Sequence, residues 1–337
     1  MKPALIRCSL AVLILALACN PGPPAGGGES SLATESATTL TWMPAFDTAD
    51  AGFLSSVWGS APDDVYIVGG QPDRAQAYHF DGTGWSAMNL PQVPLLIWVF
   101  GVSPDAVFAV GEQGTALFFD GTDWQITETG TSSDLFGVWG SAVDDVWAVG
   151  GDVAAGPMVI LHYDGRAWQP VTLPELDRES TALLKVWGSS ARHVFAVGQS
   201  GVILGYDGLE WSQVPSGTGQ DLITLWGTGP DHIVAVGGRS NGVLAVFDGA
   251  GWSSQSVAPL PGLNGVFLDN PTQAVVVGLI GTAASINLST FEVTPQVTPT
   301  VQTLHAVWGD GSGTFYAVGG SSTAQPYTGV ALVATAE

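Results

Sequence analysis

From Thr39 onward the chain is built of short apolar runs, each closed by Gly, Asp or Pro. One clear unit reads Val138-Trp139-Gly140, a polar turn (SAVDD), VWAVG, then ILHYDG, then another Trp. The apolar positions within a run are nearly continuous rather than alternating, as expected of strands covered on both faces. The turns carry hairpin chemistry: Asp bonds its own backbone, and the Gly after it supplies positive φ. The pattern predicts short antiparallel strands, four to a unit.

The unit recurs. Its first anchor stands at Trp58, Phe100, Trp139, Trp187, Trp226, Phe267 and Trp308, and a glycine follows each anchor by 11 residues, at Gly69, Gly111, Gly150, Gly198, Gly237, Gly278 and Gly319. The mean period is about 42 residues, within the range of four-stranded propeller blades. A second aromatic, in the fourth strand, is found at Trp42, Trp85, Trp124, Trp168, Trp211, Trp252 and Phe291. This series runs out of phase. Trp42 precedes the first anchor, and the last unit reaches Glu337 without a fourth strand of its own. The two series close only if the strand around Trp42 completes the final blade, which removes the open edges of a linear array. The expected fold is all-β, a seven-bladed β-propeller closed by an N-terminal strand.

The turns FDGTGW, FDGTDW, YDGRAW, YDGLEW and FDGAGW resemble the Asp-box of bacterial neuraminidase repeats, with Asp and Gly side by side where the strict motif separates them. The combined VWG…VGG…YDGxxW pattern is similar to propeller lipoproteins of bacteria and, more loosely, to kelch propellers. The resemblance covers residues 39–337 and implies a fold. It says little about activity, because such propellers include enzymes, lectins and scaffolds.

Ahead of the repeats, Lys2 and Arg7 precede an apolar run, Leu10 to Leu17, too short for the roughly 20 residues that span a bilayer. The run ends Ala16-Leu17-Ala18-Cys19, which resembles the lipobox of bacterial lipoproteins. That resemblance implies cleavage before Cys19 and lipidation of the cysteine, and with it residence outside the cytoplasm, on the outer membrane of a bacterial cell envelope. Cys8 would leave with the signal, so Cys19 would have no disulfide partner. Residues 1–18 are thus read as a signal, 19–38 as a Pro/Gly/Ser tether and 39–337 as the propeller.

Charge narrows the partners. The 30 acidic residues against 8 basic ones give a net charge of -22, which disfavours nucleic acid. Connections between first and second strands, and between third and fourth strands, have constant length and share one face of a propeller. The opposite face carries connections that vary: the distance from the repeat glycine to the turn Asp runs 12, 9, 14, 9 and 11 in the first five units. Insertions on one face of a repetitive scaffold mark a binding face. Arg74, Arg178 and Arg239 lie in those connections and are the candidate binding residues. The alternative is that they are solvated loop charges. Trp98 stands two residues before its anchor, where the other units have Ser56, Gly137, Lys185, Thr224, Gly265 and Ala306. It either lines the central channel with Lys185 or fills a gap left by small neighbours.

No nucleophile elbow, phosphate loop or cysteine ligand set is present, so no catalytic residue, metal or cofactor is assigned. The expectation is a monomeric, non-enzymatic propeller that binds an envelope protein or a glycan through its variable face. Two rivals stand beside it: a glycan-active enzyme of sialidase or lyase type, and a structural envelope protein without a specific ligand.

Overall fold

The structure of the protein is a computed structural model, and it describes residues 40–336. The signal (1–18), Cys19 and the tether (19–38) lie outside the described residues. Among these, 28 strands form seven four-stranded antiparallel sheets. The inner strands are Phe53–Ala61, Leu96–Ser103, Asp134–Ala142, Leu183–Ser190, Leu222–Gly229, Leu263–Asn270 and Thr303–Gly309. Each packs on the next, and the last packs on the first, so the ring is closed. In the seventh sheet the outer strand is Leu40–Pro44, paired from Leu40 opposite Ala336 to Pro44 opposite Leu332. The sequence-based expectation of a seven-bladed propeller closed by the N-terminal strand is met.

Two repeated glycines have a steric cause. A Cβ on Gly101 would lie 2.3 Å from the Trp58 ring of the preceding blade, and Gly59, Gly188 and Gly227 meet the preceding anchor in the same way. The aromatic-Gly pair is therefore an interblade joint in five blades, where the anchor ring covers the next blade's glycine (Gly59, Gly101, Gly188, Gly227 and Gly309). The glycine 11 residues on faces the inner strand, where a Cβ on Gly69 would lie 1.9 Å from the Phe53 carbonyl oxygen. Close approach of two backbones leaves no room for a side chain there. The inner strand bulges beside it, between Leu54 and Ser56, and does so at the equivalent place in every blade.

The two faces are distinct. On one, the Asp-Gly turns pack on first-to-second turns, as Gly82 does on Asp63 and Gly165 on Asp144. On the other, second-to-third loops pack on fourth-to-first loops, as Gly201 does on Thr218 and Gly281 on Thr300. The chain enters the propeller on the first of these faces: Leu40 pairs with Ala336, whose N–H donates to Gly313 in a first-to-second turn. The variable face is the far side.

Candidate binding face and axial channel

The constant face carries repeated polar chains that tie together the strands of a blade. In blade one, Ser60 donates to Asp64, and the other Asp64 oxygen lies 2.7 Å from His79 Nε2, whose ring stacks on Tyr66 at 4.5 Å. Blade three repeats the chain with Ser141, Asp145, His162 (2.7 Å) and Trp147 (4.3 Å). The carboxylate stands between the hydroxyl and the imidazole, so in these two chains the histidine does not touch the serine. This order fastens strands and does not activate a nucleophile. The turn aspartates do the same locally: Asp164 accepts from the N–H groups of Arg166 and Ala167, both at 2.9 Å. These bonds hold its carboxyl below the usual range. Among the described residues no three His, Cys, Asp or Glu side chains gather as a metal site.

The variable face carries grooves. One, of about 590 Å³, lies between the long loop after blade three and the segment 213–219, and Arg178 is at its edge. A second, of about 810 Å³, lies at the closure seam between blades seven and one, lined by Arg74, Gln71, Pro72, Pro326 and Tyr327. Gln71 ties the seam by donating to the Tyr327 carbonyl and accepting from the Tyr327 N–H. Arg74 also lines a third groove, of about 310 Å³, with Tyr78, Met88 and Pro91.

The three arginines are not equivalent. Arg178 Nη1 donates to the carbonyls of Ser200 and Thr218, both at 2.9 Å, and its Nε donates to Asp177. It braces its loop. Arg239 Nε donates to Asp221 at 2.6 Å, and Asp221 also accepts from the Ser200 N–H. The Arg74 guanidinium has no hydrogen bond or ion pair among the described residues and stands exposed between two grooves. The grooves hold these arginines apart: Arg74 and Arg178 line different ones.

Around the axis, Trp98 and Lys185 meet. Lys185 reaches from blade four to the Phe136 carbonyl of blade three at 2.7 Å, with its Nζ 3.3 Å from the centroid of the Trp98 ring on blade two. Trp98 also packs against the buried core, so it both fills the ring and faces the channel. His305, which the repeat pattern does not single out, joins them. The fold brings it from blade seven to the axis, edge-on to Phe53 at 4.7 Å, where burial and then the Lys185 charge pull it down to about 4. Its signal was faint: a His where other units carry Ser55, Ile97, Phe136, Leu184, Ile223 or Asn264.

No family model and no curated protein matches the chain. Solved structures do resemble it. One is described as YCF48 bound to D1 peptide (TM-score 0.64, 13% identity, covering 90% of this chain and 100% of that one). Another is YCF48 from Cyanidioschyzon merolae (0.63, 12%, 88% and 98%). The third comprises the RRP9 WD40 repeats (0.68, 8%, 89% and 99%). At these identities the likeness is one of fold: the chain is a seven-bladed β-propeller.

Proposed function

We propose that this propeller is a non-enzymatic binding protein that takes a peptide segment of a protein partner on its variable face. The observation that carries this reading is the pair of open grooves flanking Arg74, a guanidinium with no partner of its own on the face where loop lengths vary. The fold supports it, since a similar propeller has been solved with a peptide bound. The test is capture from cell-envelope extract by the wild type and by Arg74→Glu. The charge reversal falls at an exposed site and costs little stability. It should release partners that an Asp144→Asn change on the constant face retains. Equal capture by both variants would refute the assignment of the face.

The same reading places the protein outside the cytoplasm, lipidated on Cys19. Twenty residues separate Cys19 from Leu40, and a Pro/Gly/Ser-rich tether of that length would span about 25 Å. Cys19→Ala should release the protein from the membrane fraction, and unchanged retention after washing would refute the anchor.

A further inference from the structure

Lys185 is the only lysine among the described residues and is 6% exposed. Its neighbours are a backbone carbonyl and an aromatic face. Burial pulls its ionisation well below the ordinary lysine range. The Trp98 face and the Phe136 carbonyl favour the charged form against that burial. Below Trp98, towards the constant face, the rings of Trp58, Phe100, Trp226 and Trp308 close the axis to a space of about 10 Å³, room for one water at most. The channel is therefore not a pore. The half-buried residues Ile97, Phe136, Leu184, Ile223, Asn264 and His305 lie on the variable-face side of that floor.

Buried charges are normally matched by an opposite charge, because a carbonyl and a π face offset only part of the lost hydration. Here the one lysine of the described residues lies on the symmetry axis of an acidic chain, held by a carbonyl and a ring face, with no ion pair among the described residues. We infer that the axial vestibule of the variable face is a carboxylate site, with Lys185 as the cationic partner and a carboxylate of the bound peptide as the ligand. The inference rests on the peptide-binding reading above and adds to it the chemistry of the peptide. The single ammonium and the mostly apolar rim, with Asn264 and His305 as its polar members, suit a monoanion on a slender chain. A phosphate group calls for more donors than the vestibule presents.

The test uses the chain labelled with ¹³Cε-lysine, in which Lys185 is distinguished from Lys2 by the Trp98 ring current and by its absence from Lys185→Met. Sodium acetate, titrated against sodium chloride at equal ionic strength, should shift the Lys185 signal saturably. An alanine-rich pentapeptide with a free C-terminus should bind at least tenfold more tightly than its amidated form, and Lys185→Met should erase the difference. An amidated peptide with an internal Glu separates a side-chain carboxylate from a chain end. Acetate that acts no differently from chloride overturns the site, and this arm needs no variant to fold. Peptides that bind equally well, free or amidated, without moving Lys185 overturn the site and leave the peptide-binding face standing. An acetate shift with no peptide binding supports the anion site and refutes the peptide as its occupant.

Discussion

The outer-strand tryptophans occupy one place in the blade, yet their indoles meet different neighbours. Trp42 donates to Gln296 at 2.8 Å and Trp168 to Thr127 at 3.0 Å, each partner on the preceding blade. The Nε1 atoms of Trp211 and Trp252 are buried without an acceptor. The repeat register supplies the reason. Thr127, Val171 and Val214 each lie three residues beyond their own blade's Trp. The N–H groups of Thr127 and Val171 donate to Ala116 and Ile160, equivalent points of the third strand. Val171 thus fills, in the cluster around Trp211, the place that Thr127 fills beside Trp168. Trp168→Phe removes a hydrogen bond worth about 1 kcal/mol as well as apolar area, whereas Trp211→Phe removes an N–H whose unmet burial already costs about 1–3 kcal/mol. The second change should therefore be milder by about 2 kcal/mol. Conversely, Val171→Thr should stabilise the protein by about 1 kcal/mol with Trp211 present and by nothing in the Trp211→Phe background. Urea unfolding followed by tryptophan fluorescence reads both arms, and in a thermal melt each kcal/mol is worth about 2 °C at this size. Equal losses for the two Phe variants, with no coupling between Val171 and Trp211, would refute the argument.

Three further outcomes follow from the packing. Trp42→Ala, at 5% exposure in the closing strand, should cost about 3–5 kcal/mol and open the seventh blade; wild-type melting and unchanged proteolysis of that seam would contradict the closure. Gly101→Ala should destabilise by at least about 1–3 kcal/mol because its Cβ strikes Trp58, and Trp58→Leu should recover part of the loss; calorimetry of the pair decides. Asp81, held at about 2 by the Thr83 hydroxyl and by turn N–H groups, lies with Asp120, Asp164, Asp207 and Asp248 below the ordinary carboxyl value. Their stabilisation is complete above the unfolded value near pH 4 and is lost as pH falls towards 2. Replacing these five by Asn should flatten that acid limb in pH-dependent melts with little change at pH 7, since Asn287 already accepts the same turn N–H groups in blade six; an unaltered limb would show that other carboxyls set it.

The sequence by itself determined the architecture. A propeller repeats one local solution, so blade count, strand order and closure follow from the spacing of Trp139-like anchors, the glycines 11 residues on and the phase of Trp42. Even the division into a constant and a variable face is arithmetic on loop lengths. What each polar side chain does was decided only in three dimensions. Arg74, Arg178 and Arg239 look alike in the chain, but two are held by Asp221 or by carbonyls from segments distant in sequence, and one is free. Trp98, Lys185 and His305 belong to three different blades, and nothing local relates them. They meet because closing the ring turns positions spread over two hundred residues into neighbours on one axis, where burial and the lack of a counter-charge set their chemistry.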